Sequence, residues 1–326
     1  MVNMFTVASK EFSDIVRGKR FLLLVIVFGL VMTAAVATVY LSATQNIGRT
    51  GMPTGFLRSV ASSLVTMMSY FAPIMGIALG VDAISGEKEK GTLKLTLVQP
   101  IFRDTLINGK FLAAFLAISL ATLIASLVNI GGSVLALGIT PTIEDVSRLM
   151  LFMLFSILFA MTFYGIAAFL STISKRTTQS VIISVMLWVI FTFVISIVAS
   201  LIASSMVPIS FQPGQNMTGF QPGQNMTASP EMAARLEEIR QRTAITQTID
   251  SITPNYHFTR IAQYILQASV NIGIGPGADR YGQTSTRAVS VMESLGSAWP
   301  NILVLTFVTA LTFIASYLLF TRQEVR

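Results

Sequence analysis

Eight charged side chains fall within residues 84–111: Glu87, Lys88, Glu89, Lys90, Lys94, Arg103, Asp104 and Lys110. Only 11% of the chain is charged. The Glu-Lys-Glu-Lys alternation at 87–90 sets carboxylates beside ammonium groups. The rest of the chain offers little reactive chemistry. It has no cysteine and one histidine, His257. That excludes disulfides, thiolate metal sites and a cysteine nucleophile, and a zinc site would need Asp and Glu almost alone. There is no G-x-x-x-x-G-K-[ST] phosphate loop, because neither Gly18-Lys19 nor Gly109-Lys110 has the upstream glycine. HExxH, G-x-S-x-G and paired intramembrane aspartates are also missing. These absences speak against a chain that hydrolyses ATP by itself.

The charged stretch must be positioned by what surrounds it, and that is strongly apolar. The chain is 53% hydrophobic with mean hydropathy +0.70. Soluble domains carry about 25% charged residues, so too little polar surface is available to cover a water-soluble fold. A helix needs about 20 apolar residues to cross a bilayer. Six runs qualify: 21–41, 63–81, 111–138, 149–170, 181–206 and 301–320, none with Asp, Glu, Lys, Arg or His. The fold class expected is an all-α integral membrane protein with six transmembrane helices. Uncharged spans argue against a proton- or ion-driven carrier, which keeps titratable groups in the membrane. Asn129, the main strongly polar mid-span side chain, reads as a hydrogen bond across helices. Met67, Met68 and Met75 could bind Cu(I) but read more simply as packing residues.

Basic residues favour the cytoplasmic side. Residues 1–20, 82–110, 171–180 and 321–326 hold 13 of the 22 Lys and Arg, including all seven lysines. The opposite short loops hold only Arg49, Arg58 and Arg148. The expectation is a multi-pass protein of the plasma (cytoplasmic) membrane with both termini cytoplasmic. The net charge of +7 then belongs to the anionic face of a bilayer and its lipids, not to nucleic acid. Ala35-Val36-Ala37 resembles a cleavage site, but the 20-residue lead is long for a signal peptide, so an uncleaved first span is expected. Within residues 1–20, Phe5, Ala8, Phe12, Ile15 and Val16 share one face of a helical wheel. This predicts an interfacial amphipathic helix.

Residues 207–300 are too long for a simple turn and predict a helical extracytoplasmic insertion. It opens with a tandem repeat at 211–227, FQPGQNMT twice. Each copy carries a sequon, at Asn216 and at Asn225, a possible glycosylation site; one duplication event also accounts for both. Ser229-Pro230-Glu231 predicts a helix start running to about Ser251. A second helix from Asn255 would place Phe258, Ile261, Ile265 and Tyr264 on one face.

The charged stretch cannot enter hydrocarbon, where one mid-span charge costs about 2.5–3.5 kcal/mol. It therefore forms a cytoplasmic loop at 82–110. Glu87–Lys90 would continue the second span past the membrane surface, and Gly91 would break it. Thr92 would cap a short helix through Gln99, ended near Pro100. Asp104 or Thr105 would cap the third span. A solvated turn bearing topology charges explains Lys88 and Lys90. It does not explain Leu93, Leu95, Leu97 and Val98, which suggest a docking surface.

The run EKEKGT at 87–92, Pro100 and Arg103 spaced as proline-x-x-arginine, and Gly109-Lys110 before a span resemble the first cytoplasmic loop of type-2 ABC exporter permeases. The likeness is greatest to the branch of the nitrous oxide reductase maturation permease. It covers nearly the whole chain as one permease domain of residues 1–326. In that family the loop is a coupling helix that fits a separate ATP-binding subunit. The resemblance implies that Glu87, Lys88, Glu89, Lys90, Gly91, Thr92, Pro100 and Arg103 form the coupling surface, with Lys88 and Lys90 facing ATPase carboxylates. It also implies two ATP-binding subunits and a second permease chain, a homodimer being the simplest. This chain would hold no cofactor; ATP and Mg would sit on the partner ATPase. The duplication at 211–227 departs from the family pattern. Other readings are an ATP-independent carrier or channel, a membrane scaffold or sensor whose outer helices bind a ligand, and, more remotely, an intramembrane enzyme. The cargo could be lipid, hydrophobic drug or peptide.

Overall fold

In hydrocarbon every backbone N–H and C=O must be satisfied within its own segment, so the apolar runs fold as helices. The computed structural model describes residues 3–50, 56–91, 102–138, 140–207, 230–266 and 290–322. Among them the helices are α1 (Met4–Arg17), α2 (Lys19–Thr50), α3 (Phe56–Gly80), α4 (Ser85–Glu89), α5 (Arg103–Leu137), α6 (Ile143–Ile173), α7 (Thr177–Val189), α8 (Ile195–Met206), α9 (Pro230–Asp250), α10 (Pro254–Leu266) and α11 (Val291–Arg322). A π turn, Ile190–Val194, joins α7 to α8 within the fifth span. Among the described residues six helical stretches are long and apolar enough to cross a membrane, and they coincide with the six apolar runs. The fold is an all-α, six-span membrane protein.

The helices outrun the apolar runs at both ends. The third begins at Arg103 with Phe102 as its cap residue, and Asp104 lies in its first turn rather than capping it. The sixth starts at Val291 and carries Pro300 inside it. α6 opens with a capping box in which Thr142 and Asp145 satisfy each other's backbone N–H groups.

The centre of the bundle is α6, which packs on α3, α11, α10 and α5. Small residues permit this. Gly76 and Gly80, a G-x-x-x-G pair, lay α3 against Ala160, Tyr164 and Ala167 of α6. On another side of α6, Gly165 meets Thr312 of α11. Nearby the hydroxyls of Thr162 and Thr309 pair at 2.6 Å. Met68 and Met75 are buried in this core. Asn129 donates across helices to the sulfur of Met32 at 3.7 Å. α1 packs on α5 through buried Val7 and Ala8. Phe12, Ile15 and Val16 are half-buried, while Phe5 is 65% exposed.

At the far end from the lysines, α10 drives Phe258, Ile261 and Ile265 into the bundle, whereas Tyr264 stays exposed. The Phe258 ring stacks on Phe159 at 4.3 Å. Buried Arg148 ties this end together. It donates to Glu144 Oε1, to the Ile265 carbonyl at 2.8 Å and to Ser294 Oγ at 3.2 Å. His257 bridges Asn301 Oδ1 and the Ser251 carbonyl. The tandem repeat, with Asn216 and Asn225, lies outside the described residues.

α9 runs back along α8. Arg242 donates to the Val207 carbonyl, and Ser196 donates to Asp250 Oδ1 at 3.2 Å. Burial holds the Asp250 carboxyl above its ordinary value, and the Ser196 hydrogen bond only partly opposes this. Folding therefore favours the protonated form. This residue's penalty is absent below the unfolded pKa and grows as pH rises through the folded one. Asp250→Asn keeps the acceptor without the charge. We expect it to raise the melting temperature in detergent at neutral pH, with the gain vanishing in mild acid.

Candidate functional site

The described parts of residues 1–20, 82–110, 171–180 and 321–326 converge on one end of the bundle. α4 is their junction. Its first turn is fixed to the end of α6: the N–H groups of Ile84 and Ser85 both donate to Ser171 Oγ, at 3.1 and 2.9 Å. Ser171 Oγ in turn donates to Ser85 Oγ at 3.0 Å. The second span thus stops at Gly80, turns through 81–84 and resumes as α4. Gly91 ends it with φ +71°, a left-handed conformation suited to glycine.

The charged residues of α4 divide between inside and outside. Lys110, at the start of the third span's apolar run, is 8% exposed and accepts no water-facing role. Its ammonium donates to Glu87 Oε1 at 2.6 Å and to Glu11 Oε2 at 3.0 Å. The Lys110 carbonyl also accepts from buried Tyr164 at 3.3 Å. One cation therefore joins α1, α4 and α5, and its own peptide reaches α6. Lys88, half-buried, donates to the Thr172 carbonyl at 2.5 Å, stitching α4 to α6. Glu89 is exposed and accepts the N–H of Thr177 at 3.1 Å, serving as a cap for α7 from another segment. Lys90 and Gly91 are exposed. Arg103 reaches the Thr321 carbonyl at 3.4 Å. Arg20 on α2 pairs with Asp82 at 2.5 Å.

Glu87, Lys88, Glu89, Lys90 and Gly91 are thus brought together, and Arg103 is held at the end of the last span. Thr92 and Pro100 lie outside the described residues. Lys88 and Lys90 differ: Lys90 is turned to the surface, while Lys88 is turned inward to α6. Sequence reasoning missed Glu11 and Ser171, and it named Lys110 in the charged stretch without its buried role. One signal was available, since Glu11 shares a helical face with Val7, Ala8 and Ile15. A carboxylate on an apolar face calls for a buried partner.

Among the described residues the arrangement holds no catalytic constellation. It offers a surface whose displacement would be felt by several spans at once. A family model described as ABC-2 family transporter protein matches residues 5–325. The chain belongs to this family, and with its six spans it is a membrane permease component. It is similar to the probable ABC transporter permease protein NosY of Pseudomonas aeruginosa, 31% identical over 192 residues, covering 58% of this chain and 66% of that protein. It is likewise similar to the probable ABC transporter permease protein NosY of Stutzerimonas stutzeri, 30% identical over 200 residues, covering 60% of this chain and 68% of that one. The matched parts span about two thirds of these relatives.

Proposed function

We propose that this chain is the permease subunit of an ATP-driven exporter in the plasma membrane. Its lysine-rich end faces the cytoplasm and docks a separate ABC ATP-binding subunit. The docking surface is Glu89, Lys90 and Gly91 with the segment that follows, through Thr92 and Pro100 to Arg103. The working unit holds two permease chains and two ATP-binding chains, with ATP and Mg on the latter, and the path for cargo runs between the permeases. The observation that carries this reading is the fixing of α4. Ser171, Thr172, Thr177 and Lys110 connect it to α6, α7, α5 and, through Glu11, to α1. A load applied beside Gly91 reaches four helices without passing through flexible chain. Extensive apolar surface on α2, α7, α8 and α11 suits contact with lipid and with a second permease.

The test uses Lys90, which is exposed and is not a member of the Glu11–Lys110–Glu87 cluster. Lys90→Glu should leave the melting temperature unchanged and weaken co-purification with the ATP-binding subunit about tenfold, the effect of reversing one well-placed interface charge. Glu87→Arg should disturb both, because Glu87 faces Lys110. Unaltered binding and ATP-dependent transport in Lys90→Glu and Glu87→Arg alike would remove the coupling assignment.

A further inference from the structure

Hydroxyls inside apolar helices ordinarily donate to the carbonyl four residues earlier. Several in this chain do so: Ser69 to Val65, Ser119 to Phe115, Ser156 to Phe152, Thr162 to Leu158 and Thr172 to Ala168. Ser180, Ser184, Thr192 and Ser316 do not, and neither do four consecutive polar positions of α5. Thr122 Oγ1, Ser126 Oγ, Asn129 Oδ1 and Ser133 Oγ are buried with no hydrogen-bond partner among the described residues. These residues are 0%, 2%, 0% and 1% exposed. At about 100° per residue they lie within roughly 60° of one another, and they extend over roughly 16 Å of helix. The face is turned away from the lipid-exposed Leu123 and Leu127. Asn129 meets Met32 of α2, and beside it Val36 of α2 packs over Gly132. Thr122 lies near mid-span. Ser133 is one turn from the end of α5 at Leu137, opposite the end that holds Lys110.

A row of buried oxygens without partners is costly in hydrocarbon. Packing alone gives no reason to choose hydroxyls here over alanines, which fill neighbouring buried positions at Ala117, Ala121 and Ala125. We infer that the seam between α2 and α5 is a solvated cleft within one chain, opening at the far end, that takes water and small uncharged hydrogen-bonding solutes. The chemical class follows from the lining. Hydroxyls and a carboxamide both donate and accept. The apolar run of α5 beyond Lys110 has no charge to balance an ion. α2 is the wall that moves: it rests on α5 through Met32 and Val36, and its other face is exposed and apolar from Leu22 to Leu30. This cleft is separate from a path between two permeases and does not depend on the ATP-binding partner.

The chain has no native cysteine, so each ladder position can be probed singly. Thr122→Cys, Ser126→Cys and Ser133→Cys are near in size to the native residues. In the full chain in lipid vesicles, the probe is 2-hydroxyethyl methanethiosulfonate, small, polar and uncharged. It reacts with thiolate, which forms where water reaches the sulfur. Ser126→Cys and Ser133→Cys should react at least roughly tenfold faster than Leu127→Cys on the lipid face and Ala117→Cys in the packed interior. Ser133→Cys should be the fastest, and a trimethylammonium analogue of the reagent should be slower at Ser126→Cys. All variants should label fully after denaturation. Ladder cysteines as inert as Ala117→Cys in vesicles overturn the cleft. Thr122→Cys reacting fastest overturns its opening at the far end, and a trimethylammonium rate equal to the uncharged one overturns the solute class.

Discussion

A Gly76→Leu chain is expected to fail to assemble, with almost no monodisperse protein recovered in detergent. At Gly76 a Cβ would stand 2.8 Å from the backbone nitrogen of Tyr164 and closer still to the Ala160 carbonyl oxygen. Both obstacles are backbone of the central helix, so no rotamer change relieves them. The only escape is to separate α3 from α6, and that unpacks the most buried interface of the bundle. Gly80 shares the constraint, with Ala167 Cβ at 2.7 Å and the Tyr164 carbonyl at 2.8 Å. In a bilayer, association of spans depends on close packing, because the lipid tails compete for apolar contact. Alanine at Gly76 is therefore expected to cost about 3 kcal/mol, the upper part of the usual range for overpacking, and leucine more than the fold can bear. Gly29→Ala and Gly131→Ala are the controls. Each has open space within 4 Å and should melt as the parent does. Yield, size-exclusion profile and thermal melting of the four variants decide the matter, and a normal melting temperature for Gly76→Ala would refute the close-packing account.

That interface illustrates what the sequence makes legible. Hydropathy alone locates the six spans, since a run of 20 apolar residues without charge has few other folds open to it. Proline and serine at 229–230 mark the start of α9, and the spacing of Phe258, Ile261 and Ile265 marks the buried face of α10. Tyr264 falls outside that face because the helix docks on a narrower arc than the wheel allows. The G-x-x-x-G of α3 is readable as a close-packing signal, but its partner on α6 is not, because Ala160 and Tyr164 carry no periodic mark. The charged loop is recognisable as a candidate site from composition. Which of its charges face inward is not. Lys88 and Lys90 are alike in sequence, yet one caps a carbonyl of α6 and the other is exposed. That difference is set by contacts 84 residues away, which local pattern cannot encode. Segment 92–101, where the docking helix is expected, lies outside the described residues.

Lys110 presents the same difficulty in its sharpest form, and its replacement is the second large effect expected. Lys110→Met should destabilise the protein by about 3 kcal/mol, the lower end of what breaking a buried pair costs, since the two carboxylates keep some water. Glu11 and Glu87 are 17% and 23% exposed in their side chains. Deleting the ammonium leaves two like charges facing one cavity with no cation between them. α1 would lose its polar anchor on α5 and be left with apolar packing, such as Val7 and Ala8 against Gly109. The triple variant Glu11→Gln, Glu87→Gln, Lys110→Met removes all three charges at once and should recover most of the lost stability, because a buried ion pair is near neutral against an apolar replacement. Detergent melting curves of the single and triple variants separate this account from simple loss of packing. If the triple variant melts no higher than Lys110→Met, the lysine's aliphatic stem matters and its charge does not. If stability returns while transport with the proposed ATP-binding partner does not, the cluster is what carries motion from α4 to the spans, since the triple variant restores the fold but leaves α1, α4 and α5 without a cation to hold them in step.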